Sequence, residues 1–278
     1  LRYATDLTVS RVTTTIDGLR MLPQSPSRKP ETYPPLSLRT KNFYAKAIKQ
    51  LTAWMVREKR LEHDPLLHVP MRKVETDIRH DRRALTDGEF LKLVEAARKS
   101  TKSVEGMTGP ERSFLYTMAR MTGLRPTELA SLTAASFVFG DDSFLIVEAG
   151  YSKHRERDIV PLHPDLVPLV REWIGQLHNG TPLFPFLEQR KTAKMIRFDL
   201  EAAGIPYQDT DGLYADFHAL RHSFITRAWE SGESPEVVMA LARHRSLQMT
   251  MRYTHVDRSA QVRAIKGMRS PLRKDGTS

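Results

Sequence analysis

The chain has 278 residues, a formal net charge of +10 and a sequence pI of about 9.8. This length is enough for two domains, and the positive excess indicates either a polyanionic partner, most often nucleic acid, or a basic surface that is only solvated. The chain contains no cysteine, which excludes disulfides and thiolate metal sites, and no apolar run approaches the roughly 20 residues of a membrane-spanning helix. It begins at Leu1 without a methionine or a signal peptide, so we expect further sequence before Leu1 and a cytoplasmic location.

The N-terminal part predicts two helices separated by a turn-rich segment. Residues 7–22 could form the first helix, although the three threonines from Thr13 onward are poor helix formers, and prolines punctuate residues 23–35. From residue 37 to about 61, apolar side chains recur at three- and four-residue steps, which predicts a long helix with one apolar face. Its other face is basic and either binds phosphates or is a solvated polar face. The candidates for DNA binding on that face are Lys41, Lys46 and Lys49.

A linker and three further helices follow. Residues 62–83 contain two prolines and no sustained period, and their basic end either crosses a nucleic-acid backbone at Arg82 and Arg83 or is a plain hinge. Thr86 and Glu89 have the spacing of a capping box, which predicts a helix to about residue 99. The same analysis predicts helices over 110–121 and 126–132, the latter with a proline in its first turn.

The hydrophobic period then changes to that of strands. Residues 137–139, 144–147 and 158–162 predict three short strands, with a charged hairpin tip over 150–157. Further helices are predicted over 164–178, 186–203, 217–231, 235–243, 247–255 and about 260–268. The predicted fold class is mainly α with a small three-stranded antiparallel sheet, an α+β arrangement.

Two arginines and a glutamate are the first candidates for chemistry. A guanidinium is a flat fork of donors that suits two phosphate oxygens, and it stays protonated at any working pH. Arg125 and Arg221 could therefore hold one phosphodiester together, although each alone is more often a surface ion pair. Glu128 lies three residues after Arg125 on one helix face, where it forms either a local salt bridge or a support that fixes the arginine.

The second set of candidates consists of histidines, a lysine and a tyrosine. His218 shares a helix face with Arg221, and His222 lies one turn away, so either imidazole could face the site. A zinc site is a rival interpretation, but no His-Glu-x-x-His pattern is present. Tyr253 is a candidate nucleophile, and its phenol, with a pKa of about 10, needs a nearby base or positive field to attack phosphorus. His244 could help to supply both, and Lys153 could protonate a leaving oxygen.

Together these segments resemble the tyrosine recombinase (phage integrase-like) family in order and spacing. The resemblance covers residues 84–265 and rests on five boxes. They are Gly-Leu-Arg-Pro-Thr-Glu-Leu at 123–129, Ser-Lys at 152–153 with Val-Pro-Leu at 160–162, His-Ala-Leu-Arg-His at 218–222, His244, and Thr-Met-Arg-Tyr-Thr-His at 250–255.

The resemblance implies a division of the chain and a role for each residue. Residues 1–78 would be a helical core-binding domain, 79–84 a linker and 85–278 the catalytic domain with a C-terminal tail. Tyr253 would attack the scissile phosphate to form a 3′-phosphotyrosyl bond, and Lys153 would act as the general acid. His218 would assist proton transfer. The phosphate would be held by Arg125, Arg221 and His244, with Glu128 and His222 in support.

The resemblance also implies partners. The reaction would need no metal, nucleotide or other cofactor, and the partner would be double-stranded DNA clamped by a homotetramer on two sites, with accessory DNA-bending proteins possible. The alternatives are a type IB topoisomerase and a non-catalytic DNA-binding protein of the same fold. The short bipartite chain favours a recombinase over the first, and the complete set of boxes argues against the second.

The chain departs from the family at Arg243, where glycine is common. If this position needs a positive φ, an arginine strains it by about 1 kcal/mol. Its side chain could instead reach DNA.

Overall fold

The computed structural model describes residues 6–21, 33–151, 156–178 and 180–251. It divides the chain into two compact units, Leu1–Asp81 and Arg82–Ser278. The boundary between the units lies within residues 79–84, the linker that the family resemblance implies. The assignment of a separate role to each unit stays a prediction.

The N-terminal unit contains helices α1 (Val9–Gly18) and α2 (Leu38–Arg57). The threonines do not prevent α1, because the Thr8 side chain caps its first turn and its buried residues lie one turn apart. Burial against α2 therefore outweighs weak helix propensity. The small core of this unit consists of Val12, Ile16, Ala45, Leu66 and Val69.

The apolar face of α2 is not the face that this unit buries. Phe43 and Leu51 are 68% and 48% exposed, whereas Asn42 lies on the buried face. Asn42 exchanges two hydrogen bonds of 2.8 Å with the backbone of Arg72, in a segment that the sequence predicts as a linker. That segment folds back along α2, and its backbone polar groups need the partners that polar side chains of the helix provide.

Lys41 and Lys49, two of the candidates for DNA binding, donate to backbone carbonyls of their own unit. The buried ammonium group of Lys41 donates to the Asp17 carbonyl at 3.0 Å and lies 3.8 Å from the Asp17 carboxylate. Lys49 donates to the Leu67 carbonyl at 2.8 Å. Lys41 is buried, and a buried charge requires such partners, whereas Lys49 is half-buried and its bond to Leu67 is exposed. DNA binding by either lysine stays a prediction. Lys46 has an exposed side chain and stays a candidate for phosphate contact.

The C-terminal unit confirms the predicted fold class. Eight helices and three strands are assigned in its described part. They are α3 (Asp87–Lys99), α4 (Gly109–Thr122), α5 (Pro126–Ala130), β1 (Phe137–Val138), β2 (Phe144–Val147), β3 (Asp158–Pro161), α6 (Leu166–Gly175), α7 (Thr192–Ala202), α8 (Phe217–Glu230), α9 (Pro235–Ala242) and α10 (Leu247–Met251). The predicted end of the tenth helix at 255 and the helix over 260–268 lie outside the described residues.

Helix starts follow the capping signals in the sequence. Thr86 accepts from the Glu89 backbone N at 3.2 Å, and the Glu89 carboxylate accepts from the Thr86 backbone N at 2.9 Å. This reciprocal pair satisfies two donors that the first turn of a helix leaves unpaired. At the start of α9, the Ser234 side chain accepts from the Val237 backbone N, and Pro235 occupies the first turn.

The sheet is antiparallel in the order β1-β2-β3. Leu145 is paired with Phe137 on one side and Val160 on the other, and all three are buried. The β2–β3 hairpin has its last described pair at Val147 and Asp158. Its connecting segment contains Lys153, which lies outside the described residues.

Helix α4 lies at the centre of the main core. It packs against α3 and α8, and Leu115 and Met118 have no exposed surface. An ionic cluster lies within this core. Arg112 donates from Nε and Nη2 to the two carboxylate oxygens of Asp199 on α7, at 2.7 and 2.9 Å, and the Tyr116 hydroxyl donates to Asp199 at 2.7 Å. The cluster ties α4 to α7.

None of the helices in the described ranges combines the length and apolar composition that a membrane crossing requires.

Candidate active site

The turn after α4 brings Arg125 to the start of α5. Helix α4 ends at Gly123, whose φ of +63° lies in the left-handed region. A β-carbon at Gly123 would lie 2.4 Å from the Phe224 ring of α8, so the backbone and the packing both require glycine. The chain reverses there, and Arg125 becomes the residue that immediately precedes α5.

Glu128 fixes the direction of Arg125. The Glu128 side chain is 1% exposed, and its Oε1 accepts from Arg125 Nη1 at 2.8 Å. Its Oε2 accepts from the Arg125 backbone N, also at 2.8 Å. The two bonds hold the arginine at its backbone and at its head group, while 17% of the Arg125 side chain stays exposed.

Arg221 joins three separate segments. It lies on α8, is 3% exposed, and donates to the backbone carbonyls of Gly123 and Ala242. Gly123 precedes Arg125 by two residues, and Ala242 precedes His244 by two. One buried guanidinium therefore positions both neighbouring segments relative to α8.

His218 lies one turn before Arg221 on α8 and is electrically neutral at neutral pH. Burial lowers its pKa to about 4, and the positive charges of Arg82, Arg221 and Arg125 act in the same direction. The negative charge of Asp216 opposes them without reversing the shift. A neutral imidazole has one nitrogen that accepts and one that donates.

Arg82 and Arg83, two further candidates for DNA binding, pair with carboxylates in this structure, and their contact with DNA stays a prediction. Arg82 Nε lies 2.8 Å from both carboxylate oxygens of Asp216, which in turn accepts from the Ala219 backbone N and so caps α8. Arg83 forms an ion pair of 2.8 Å with Glu89. Each arginine therefore has a carboxylate partner within its own unit, and the charge of Arg82 adds to the effect of burial in lowering the pKa of His218.

The pKa of His218 predicts a pH dependence of stability. The folded pKa of about 4 is below the usual 6.5. The neutral imidazole therefore contributes stability that is fully present above the unfolded pKa and is lost as the pH falls through the folded one. Between about pH 7.5 and 4.5, the wild-type chain is expected to lose about 2 kcal/mol more of its free energy of unfolding than His218→Gln. Urea unfolding of both proteins at the two pH values measures this, and equal losses would contradict it.

His244 is held by a threonine of the next helix. Its Nδ1 lies 3.0 Å from Thr250 Oγ1 on α10, and Thr250 has no exposed surface. This contact fixes the plane of the ring and places Nε2 on the side away from Thr250. The hydrogen bond that one ring nitrogen of a histidine makes determines which of the two nitrogens carries the proton.

The side chain of Arg243, which could reach DNA according to the sequence, is buried in this structure. The residue does adopt the left-handed conformation, with φ +52°. Its side chain is only 6% exposed and donates from Nη2 to Glu128 at 2.9 Å and to the Gly123 carbonyl at 3.3 Å. Burial lowers the pKa of Arg243, and the negative charges of Glu128 and Asp158 oppose that shift.

The remaining candidates are placed less fully. Lys153 and Tyr253 lie outside the described residues. Because the charge of Asp158 acts on Arg243, the described base of the β2–β3 hairpin lies near that arginine. His222 is half-buried, with Nδ1 3.5 Å from Thr226 Oγ1. Within the described ranges, no three histidine or carboxylate side chains are grouped as metal ligands.

Comparison with known proteins decides the family. The sequence model of the Phage integrase family matches residues 83–260. The chain belongs to this family, the tyrosine recombinase (phage integrase) family. It is 28% identical to tyrosine recombinase XerC of Bacillus licheniformis over 238 residues, which are 80% of this chain and 72% of that protein. It is 30% identical to XerC of Mesorhizobium japonicum over 181 residues, 59% of this chain and 55% of that protein. It spans about half the length of several of these relatives.

Solved recombinase structures have the same fold. The recombinase superposes on XerH in a post-cleavage complex with a palindromic difH substrate at a TM-score of 0.67, with 18% identity, over 96% of this chain and 74% of that one. The Tn1549 transposon integrase with circular intermediate DNA gives a TM-score of 0.65 with 15% identity, over 94% and 85% of the two chains. A lambda integrase dimer bound to a COC′ core site gives 0.62 with 18% identity, over 90% and 65%.

Some positioning residues of the recombinase were missed from its sequence. Asp216 directly precedes α8 and accepts from the third helical residue, so the preference of aspartate for this position could have identified it. Thr250 appeared only as part of the box around Tyr253, and nothing in the sequence singled out its contact with His244. The partnership of Arg243 with Glu128, across 115 residues, has no local sequence signal.

Proposed function

We propose that this recombinase cuts and rejoins double-stranded DNA at specific sites through a covalent 3′-phosphotyrosyl intermediate. The observation that carries the proposal is the position of Arg221. Its guanidinium holds the segment before Arg125 and the segment before His244 against α8. Three groups suited to a phosphate are thereby gathered from distant parts of the chain.

The positive charge of Arg125 and Arg221 suits a phosphodiester in its transition state. A pentacoordinate phosphorus carries extra negative charge, and guanidinium forks bind such oxygens through two donors each. Arg125 and Arg221 would supply these forks, and the His244 imidazole a further donor. Removal of one preorganised donor of this type costs roughly 100-fold in rate.

The cleavage step would be a transesterification. The phenol oxygen of Tyr253 forms a bond to phosphorus while the bond from phosphorus to the 5′ oxygen breaks. The phenol proton leaves to a nearby base, and Lys153 delivers a proton to the departing 5′ oxygen. A 5′ hydroxyl then attacks the phosphotyrosyl bond and returns the proton to the phenol. One ester bond replaces another in each direction, so no external energy source is consumed.

His218 would assist the transfer of the phenol proton. Burial, with the positive charge of Arg82 and Arg221, lowers the pKa of His218 to about 4, so the imidazole is neutral and able to accept a hydrogen bond or a proton. The phosphate-binding charge would therefore come from the arginines.

Chain connectivity supports the roles of Lys153 and Tyr253. Lys153 lies within the segment that joins Val147 to Asp158, and the charge of Asp158 acts on Arg243. Tyr253 follows Thr250 by three residues, a length of chain that spans at most about 11 Å. Thr250 is itself in contact with His244.

The partners follow from the family. We propose double-stranded DNA as the substrate, a homotetramer on two sites as the working assembly, and the nucleoid of a bacterial cytoplasm as the location. The two-unit organisation would place a core-binding domain in residues 1–78 and the catalytic centre in 85–278. Accessory DNA-bending proteins would be system-specific.

The proposal can be tested without knowledge of the target sequence. The wild-type chain is incubated with a pool of duplexes that carry a randomised core and a nick near the expected cleavage position, so that the released strand diffuses away. We expect denaturant-resistant protein–DNA complexes whose DNA is attached through a 3′ phosphate, with one sequence enriched in the pool. Peptide mapping of the trapped complex should assign the DNA adduct to Tyr253.

The rival functions give different outcomes. A type IB topoisomerase would relax supercoiled plasmid that lacks the enriched sequence, whereas a recombinase would require a pair of enriched sites. A non-catalytic DNA-binding protein would retain the same sequence but release all of it in denaturant. Either result would refute the proposal.

A further inference from the structure

Arg243 occupies a backbone conformation that favours glycine. Its φ of +52° and ψ of +47° lie in the left-handed region. Among the described residues, the others that combine a positive φ with a side chain are Lys59, Glu105 and Phe186. A strained arginine persists only where surrounding contacts over-determine it, so the contacts of the Arg243 side chain are informative.

Those contacts are with the groups that position the proposed phosphate-binding arginines. Arg243 Nη2 donates to Glu128 Oε2 at 2.9 Å, and the same oxygen accepts from the Arg125 backbone N at 2.8 Å. Arg243 Nη2 also lies 3.3 Å from the Gly123 carbonyl, which accepts from Arg221 as well. One buried guanidinium therefore touches both the carboxylate that directs Arg125 and the carbonyl that anchors Arg221.

The charge balance explains why Glu128 needs this second cation. Glu128 is 1% exposed, and a buried carboxylate is stable only when its oxygens are hydrogen-bonded and paired. If Arg125 turns toward a DNA phosphate, its side-chain bond to Glu128 weakens. Arg243 can keep the carboxylate paired during that movement, because it approaches the other oxygen.

We propose that Arg243 is a positioning residue for DNA cleavage, which holds Glu128 so that Arg125 can engage the scissile phosphate. The inference rests on the proposed function. It assigns Arg243 no contact with DNA, and it explains an arginine at a position where the backbone favours glycine.

The test compares Arg243→Gly, Arg243→Lys and Glu128→Gln, with Phe186→Gly as a matched control. Phe186 has a similar positive φ of 59° and is 68% exposed, so its replacement by glycine changes the same backbone conformation away from Glu128. The probe is the nicked duplex that the wild-type chain traps from the randomised pool. Single-turnover trapping rates are measured at saturating DNA, below the lowest melting temperature of the set.

Arg243→Gly is expected to slow trapping by about tenfold, the scale of one charge-assisted hydrogen bond, while Phe186→Gly traps at the wild-type rate. Arg243→Lys should recover part of the rate, because it keeps the cation but not the fork. In a Glu128→Gln background, Arg243→Gly should change the rate by no more than about twofold. The dependence of DNA binding on salt should be unchanged in Arg243→Gly, since a lost phosphate contact would lower the slope by about one.

The outcomes separate this inference from the proposed function. Wild-type trapping with an equal rate for Arg243→Gly would overturn the role of Arg243 alone, as would a tenfold effect that persists in the Glu128→Gln background or a reduced salt slope. Absence of trapping by the wild-type chain would overturn the proposed function and this inference with it.

Discussion

Tyr253→Phe is expected to bind the enriched DNA site as tightly as the wild-type chain and to form no covalent complex with it. Phenylalanine keeps the aromatic ring but has no oxygen to form a bond with phosphorus. The arginines and histidines that would hold the phosphate are unchanged, so binding should persist. The measurement is a pair of assays on one nicked duplex, with a native gel for binding and a denaturing gel for the covalent complex.

Tyr151→Phe is the matched control. Tyr151 is 53% exposed and lies in the loop that follows β2, so the substitution removes a phenol from the same unit without emptying a core position. It should trap DNA at the wild-type rate. Trapping that survives in Tyr253→Phe, or that disappears in Tyr151→Phe, would contradict the assignment of Tyr253 as the nucleophile.

The local structure of the chain was largely predictable because its signals are local. The capping box at Thr86 and Glu89 and the proline at 126 define where α3 and α5 begin, since each acts on the donors of its own first turn. The strands were predicted by a change of period from helical to alternating. The register of the β1–β2 pair follows from the short turn that joins these two strands.

The direction in which α2 faces could not be predicted from the same signals. Periodicity shows that a helix has two faces, but which one is buried depends on the rest of the unit. Here the segment that includes Leu66 and Arg72 packs on the face of Lys41 and Asn42. Polar side chains on that face donate to backbone carbonyls of the unit. As a result Lys41 is buried and Lys49 is half-buried, although both look like phosphate ligands in the sequence.

The candidate site, too, was predictable from the sequence only in part. Motif spacing gathered Arg125, Arg221, His218 and His244 as candidates, and the structure brings the segments that carry them together. Spacing did not predict that Arg221 would bind two backbone carbonyls or that Arg243 would pair with Glu128. The contacts of Arg221 with Gly123 and of Arg243 with Glu128 join residues 98 and 115 positions apart, and the contact of Arg221 with Ala242 joins residues 21 positions apart. All three depend on packing that no local pattern encodes.

Asp199→Ala is expected to destabilise the C-terminal unit more than other single changes away from the candidate site. Arg112 and Asp199 have side chains with no exposed surface. The Asp199 carboxylate accepts two bonds from Arg112 and one from the Tyr116 hydroxyl, at 2.7–2.9 Å. Its negative charge raises the pKa of Tyr116, in the same direction as the larger effect of burial.

Removal of Asp199 leaves the Arg112 cation buried without its counter-charge, which typically costs about 3–5 kcal/mol of unfolding free energy. Urea unfolding measures the loss. Glu95→Ala is the matched control, because Glu95 and Arg98 form an ion pair on the surface of α3, where solvent screens the charges and little stability is at stake.

A triple substitution separates charge from packing. In Arg112→Met/Tyr116→Phe/Asp199→Leu, apolar side chains of similar volume replace the three side chains, and a buried ion pair exchanged in this way is often neutral or stabilising. The carbonyls of Lys102 and Met107 lose their Arg112 donor in this variant, which has a cost of its own. We therefore expect the triple variant to recover part of the stability that Asp199→Ala loses. A triple variant as unstable as Asp199→Ala would contradict the buried, unpaired cation as the main cause of the loss.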